Sequence, residues 1–197
     1  MDAAAALPGW IADSSLLSRA YSLAERAHGS DRRPTDRRLF LEHVTEVATF
    51  LHEAAFDEDV VAVGLLHDAV ERGTLTELEL RAEMGEQIAW LVMALTEDVS
   101  IDSFEERKAR LRDQVRDAGG LAITVFAADK RSDIAGLRRG IQESRDGVES
   151  RMSTTVAGMA GHYRESVELI ESVRPGSALL PALEMQFHRL AEEASGT

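Results

Sequence analysis

The chain has 197 residues, 44% hydrophobic and 29% charged, with no cysteine and a formal net charge of −13. Such a length and composition suit one soluble globular domain with its own core, and disulfides and thiolate metal sites are excluded. The acidic balance argues against a nucleic-acid backbone as partner, and no run approaches the roughly 20 apolar residues of a membrane span.

The opening MDAAAALPGW has an acid at position 2 and neither a basic start nor a long apolar run. It does not read as a secretory signal, and cytoplasm is the expected compartment. Leu16, Leu17, Ala20, Leu23, Ala24 and Ala27 fall at helical spacing and stop at Gly29. A second helix is expected from Thr35 or Asp36 through Ala55. Asp57 suits the N-cap of a third, which runs through VGLLHDAVERG to Gly73. TELE at Thr76–Glu79 and SFEE at Ser103–Glu106 have the form of capping boxes. They open helices ending at Gly85 and at Gly119-Gly120, and Gln87 to Leu95 forms another between them. LAITVFAADKRSDIAGL reads as a buried helix continuing to Leu137, Val148 to Val173 as one long helix, and Pro181 as the first residue of a last one. No period-2 strand appears. The expectation is an all-α, single-domain helical bundle over 14–197, with a motif-bearing core at 20–137 and a helical extension at 148–195.

Several polar residues sit where this pattern expects apolar ones. His43 has Phe40 and Val47 on its own face, and His67 and Asp68 follow an apolar run. Asp129 lies one turn after Val125 and Phe126 in a stretch otherwise free of charge. A buried, unpaired carboxylate costs several kcal/mol or more, yet no basic residue occurs from Val60 to Glu71 or from Leu121 to Ala128. One divalent cation shared by His43, His67, Asp68 and Asp129 resolves all four. The alternative is four separately satisfied polar groups, and the spacing leaves both open. Two imidazoles and two carboxylates suit Mn²⁺, Fe²⁺ or Zn²⁺ with coordination sites left for water. Five arginines against two aspartates between positions 26 and 38 form a basic patch suited to a small anion.

LLHDAVE resembles the LLHDxxED signature of the HD superfamily of metal-dependent phosphohydrolases. The upstream His43 in FLEHVTEVATFL and the downstream Asp129 in FAADKRSDI supply the superfamily's H…HD…D order. AHGSDRR…H, ERK at Glu106–Lys108 and GEQIAWLVMALTED are similar to segments of the alarmone-hydrolase branch, the hydrolase domains of Rel/Spo-type proteins and their small relatives. The resemblance implies the same four metal ligands, with Mn²⁺ first among the candidate ions. It implies that Glu71 orients or deprotonates the attacking water, and that Arg32, Arg33, Lys130, Arg107 and Lys108 contact substrate phosphate. The substrate implied is a small anionic nucleotide or phosphoester of the guanosine 3′-diphosphate type.

Three departures stand out. The second acid of the family's Glu-Asp pair is Arg72, a catalytic candidate beside Glu71 that either pairs with Asp68 or reaches a substrate phosphate. The family's asparagine four residues after the last ligand is Asp133. The loop from Gly29 to His43 is two residues longer, which leaves Arg32 and Arg33 to compete for one phosphate contact. They keep two alternatives in view: a catalytically weakened nucleotide-binding or regulatory protein, and a phosphatase for another small phosphoester. His162 and Tyr163 are further substrate-contact candidates. Leu179, Leu183, Phe187 and Leu190 suit either internal packing or a homodimer.

Overall fold

Why the chain builds two crossing central helices follows from its apolar spacing. The computed structural model describes residues 7–71 and 74–195. Among these it has ten helices and no strand, an all-α architecture as expected. A short α1 (Gly9–Ala12), absent from the sequence expectation, inserts Ile11 into the core and stacks Trp10 on His52 at 4.4 Å. The Ser14 hydroxyl caps α2 (Ser15–His28) by accepting from the Leu17 amide, and Gly29 ends it with φ +49°.

The next helix, α3 (Phe40–Glu53), starts later than Thr35 or Asp36. Residues 30–39 form a folded loop instead. The Arg33 amide donates to the Arg38 carbonyl and the Phe40 amide to that of Asp31, each at 2.9 Å. Asp36 Oδ2 is held there by Arg139 at 2.9 Å, and its Oδ1 accepts from the Arg38 amide at 3.2 Å within this loop.

The third helix also differs. α4 (Glu58–Leu66) stops at Leu66 rather than Gly73, and residues 67–71 continue as turns. The His67 ring supplies the reason: its Nδ1 donates at 2.9 Å to the Gly64 carbonyl. A continuing helix would offer that acceptor to the Asp68 amide.

Beyond it lie α5 (Glu77–Met84), opened by the complete Thr76/Glu79 capping box, and α6 (Glu86–Leu95). Ser103 caps α7 (Phe104–Ala118) through the Glu106 amide, and Gly119 at φ +87° turns the chain into α8 (Gly120–Glu149). The expected single helix from Val148 to Val173 is divided. Val148 belongs to the end of α8, while α9 (Val156–Val173) starts afresh after Thr155. Its first amide, on Val156, donates to the Glu149 carboxylate at 2.8 Å. Finally, α10 (Leu180–Ser195) carries Pro181 in its first turn.

The layers follow from burial. Every residue from Val60 to Leu66 is buried, so α4 must be covered all round, and α2, α3, α6 and α8 cover it. Gly64 permits the tight crossing with α3: a Cβ there would lie 2.7 Å from Leu51 Cδ1 and 3.2 Å from Ala48 Cα. α8 is the second hub, packed on α3, α4, α6, α7, α9 and α10. Leu179, Leu183 and Leu190 are buried within this chain, and α10 lies against α8 and α9. No described helix is long and apolar enough to cross a membrane.

Candidate metal and phosphoester site

Three segments converge where α3, the end of α4 and α8 meet. His43 comes from the first turn of α3, His67 and Asp68 from the turn after α4, and Asp129 from the buried half of α8. One ligand atom each from His43, His67 and Asp129 lie within 4.8 Å of one another. The Nε2 atoms of both histidines are 3.4 Å from Asp129 Oδ1. Asp68 Oδ2 is 3.7 Å from His43 Nε2 and 3.5 Å from His67 Nε2. His43, His67 and Asp129 thus form one cluster, and Asp68 lies beside it within 3.7 Å of both imidazole Nε2 atoms.

Hydrogen bonds on the far side of each ring assign the tautomers. His67 Nδ1 faces a carbonyl and must carry a hydrogen, so a neutral ring turns its Nε2 lone pair toward the carboxylates. That buried Nε2 has no hydrogen-bond partner. On the other ring, His43 Nδ1 lies 2.9 Å from Ser132 Oγ, whose own hydrogen goes to Glu46 Oε2. His43 Nδ1 is then the donor, and its Nε2 lone pair also points inward. Two imidazole lone pairs and two carboxylates aimed at one spot repel one another without a cation. The donor set fits a divalent ion.

The charge balance of the ion-free protein is consistent with this. Burial disfavours a charged His67, but the Asp68 and Asp129 carboxylates outweigh it and push its pKa up to about 10. Burial likewise opposes ionisation of Asp129, yet Lys130 and His67 hold it well below the ordinary carboxylate range. Asp68 is lowered in the same way, against burial, by His67 and His43. Without an ion, the two carboxylates thus favour a positive charge on His67, as they would favour a cation between them.

A cavity of about 210 Å³ opens beside these residues. Asp68, Asp129 and Glu71 line it, with Arg33, Lys108 and Lys130 around them and Tyr163 and Met159 from α9 closing the far wall. Burial, followed by the negative charge of Asp68 and Glu97, raises the Glu71 carboxyl to about 7. Its Oε2 accepts weakly from the Glu97 amide at 3.4 Å.

The basic candidates divide. Arg33 and Lys130 are each only 4% exposed and reach the cavity. Arg32 is exposed and donates to the Arg37 carbonyl at 2.9 Å, outside the cavity lining. Lys108 is at the cavity, whereas Arg107 donates to Glu97 at 2.9 Å and to the Ile101 carbonyl at 2.7 Å and does not line it. Arg72 lies outside the described residues. Beside Tyr163, His162 accepts from Arg112 at 2.8 Å and packs edge-on against Phe104.

Sequence reasoning missed Ser132, Glu46 and Glu97. Ser132 had one signal available: it stands one helical turn after Asp129 and so shares its face. Ser132→Ala removes the acceptor of the His43 ring and is expected to weaken divalent-metal affinity about 10–100-fold. A metal titration followed by calorimetry measures this, and unchanged affinity would count against the tautomer assigned to His43.

Residues 20–131 match the HD domain family. The chain belongs to the HD domain family. Members of this family bind a divalent metal, and the buried His-His-Asp cluster described above lies within the matched residues. The HD chain is 37% identical over 90 residues to a GTP pyrophosphokinase rsh of Brucella ovis, covering 46% of this chain and 12% of that protein. It is 24% identical over 166 residues to a probable guanosine-3′,5′-bis(diphosphate) 3′-pyrophosphohydrolase of Mycoplasma pneumoniae, covering 84% of this chain and 22% of that one. This HD chain thus spans less than a quarter of the length of either relative. Among solved structures, a metazoan ortholog of SpoT described as hydrolysing ppGpp superposes with a TM-score of 0.73 at 20% identity. That match covers 94% of this chain and 98% of the other, and it speaks to the fold. The protein lmo0812 of Listeria monocytogenes matches with a TM-score of 0.60 and 29% identity, over 77% of this chain and 90% of that one.

Proposed function

We propose that the chain is a metal-dependent phosphohydrolase acting on a nucleotide (pyro)phosphate ester of the guanosine 3′-diphosphate type. The observation that carries this reading is the convergence of two inward imidazole lone pairs and two carboxylates beside a cation-lined cavity. HD-family membership and the pyrophosphohydrolase named among the relatives support it further. We take His43, His67, Asp68 and Asp129 as the ligands. With two nitrogen and two oxygen donors and no sulfur, the set suits Mn²⁺, with Fe²⁺ and Zn²⁺ as alternatives.

A divalent ion held by these residues would supply Lewis-acid activation of the phosphoryl group and of water. Glu71, raised toward neutrality and facing the same cavity, accepts the proton of the attacking water. Lys130, 2.7 Å from Asp129, is placed to offset negative charge that grows as the phosphoryl bond breaks. Tyr163 and Met159 exclude bulk water from the far side. Purified protein assayed in Mn²⁺ against a nucleotide panel that includes 3′-pyrophosphorylated guanosine nucleotides is expected to release pyrophosphate from the latter. Stoichiometric metal with no phosphate release from any compound would overturn the enzyme reading, and tight binding without turnover would leave the regulatory one.

A further inference from the structure

Each of the three cations among the described cavity-lining residues is already met by a carboxylate. Lys108 is paired with Glu97. The two buried ones converge on Asp133: Arg33 Nη2 donates to its Oδ1 at 2.7 Å, and Lys130 Nζ to its Oδ2 at 2.9 Å. Lys130 also lies 2.7 Å from Asp129. Gly136, one turn after Asp133, lets the guanidinium lie against α8, since a Cβ there would stand 2.7 Å from Arg33 Nη1. Arg33 is therefore docked on the helix by its carboxylate partner and by the missing side chain, and it does not reach freely into the cavity.

We propose that Asp133 is a specificity-determining residue that limits how much negative charge a substrate carries away from the metal. Once an ion is taken up by the ligands, Asp133 remains as the carboxylate shared by the two buried cations, while Glu97 holds Lys108 together with Arg107. Neither buried cation among the described residues, Arg33 or Lys130, is left unpaired for phosphates remote from the scissile group. The cavity, about 210 Å³, is also smaller than the ~300 Å³ at which typical ligand clefts begin. The favoured substrate class is a phosphoester charged at the reacting end and neutral elsewhere, with a sugar or nucleoside hydroxyl in place of a second phosphate chain. This rests on the phosphohydrolase reading above.

The test compares kcat/KM for guanosine 3′-diphosphates bearing a 5′-hydroxyl, a 5′-monophosphate or a 5′-diphosphate, in Mn²⁺. Wild type is expected to prefer the 5′-hydroxyl over the 5′-diphosphate by at least tenfold. Asp133→Asn keeps the shape, removes the carboxylate that holds Arg33 and takes away one of the two on Lys130, and it should shrink that preference at least tenfold, whereas Asp133→Glu should keep it. A wild-type preference for the most charged compound, or an Asn variant with an unchanged ratio, overturns the proposal. If the Asn variant does not fold, the wild-type ratio decides alone. If no nucleotide is hydrolysed, the phosphohydrolase reading fails by itself, and binding of inorganic tripolyphosphate to metal-loaded protein still decides. There Asp133→Asn must tighten tripolyphosphate at least tenfold more than orthophosphate, and equal changes overturn the proposal.

Discussion

His67→Ala combined with Asp68→Ala is expected to leave the protein without stoichiometric divalent metal and to lower phosphate release at least about a thousandfold. The pair supplies one imidazole and one carboxylate from a turn with few other anchors, so what remains is His43 and Asp129 alone. Those two sit on different helices and cannot hold a catalytic ion with useful affinity. Metal content by elemental analysis and turnover in excess Mn²⁺ are the two readouts. Full occupancy together with wild-type turnover in the double variant would end the metal-centred mechanism. A linked result concerns the wild-type protein. Because His67 is raised to about 10 without metal, metal uptake at pH 7 must displace its proton. Calorimetry in buffers of different ionisation enthalpy should register about one proton released per ion. The sign for stability follows as well. A histidine raised above its ordinary value of 6.5 stabilises the metal-free fold fully below about pH 6.5 and loses that contribution as the pH rises toward 10.

Glu71→Gln should retain metal while lowering kcat about 10²–10⁴-fold, the range typical of a missing general base. Only the ionised carboxylate accepts a proton. The wild-type rate should therefore rise with pH along a limb at or below about 7, the lower end applying once a bound ion offsets the charge of Asp68. The Gln variant should lack that limb. Stability moves the opposite way. A carboxyl raised from 4.5 to about 7 in the folded protein favours folding below about pH 4.5, and that advantage is lost as the pH climbs through 7. The amide cannot ionise, so metal-free Glu71→Gln should match wild type at pH 4 and exceed it by about 1–2 kcal/mol at pH 8. Denaturant melts at the two pH values decide this. A Gln variant that is less stable at pH 8, or that keeps its kcat, would remove Glu71 from the mechanism.

Much of this site was legible because burial and polarity conflict along the chain. His43 stands out between Phe40 and Val47, and Asp129 after an uncharged stretch, since helical periodicity fixes which residues share a face. His67 and Asp68 were legible for the same reason, but their setting was not. Periodicity continues the apolar run of α4 into a longer helix, whereas the His67 ring captures the Gly64 carbonyl and ends it. The loop before α3 hid more. Around the isolated bridge between Arg32 and Leu39 the chain is extended, and successive side chains there point to opposite sides. Arg33 thus turns inward to the cavity wall while Arg32 turns outward, a choice that composition cannot make. The link from Glu46 through Ser132 to His43 joins residues 86 and 89 positions apart and is a product of the α3–α8 packing alone.

On α8, Asp129, Ser132, Asp133 and Gly136 occupy one stripe, so a ligand, a ring support, a charge restraint and a docking notch share a single rotational setting. The far half of the same rod is gripped by α10, where Arg138 reaches Glu193 at 2.9 Å and Gln186 at 2.7 Å. A rotation of this segment about its axis would carry all four positions with it, because they share one stripe of the helix ahead of its break at Ser144. The C-terminal helix thereby helps hold the one rotational setting that ligand, ring support and charge restraint share.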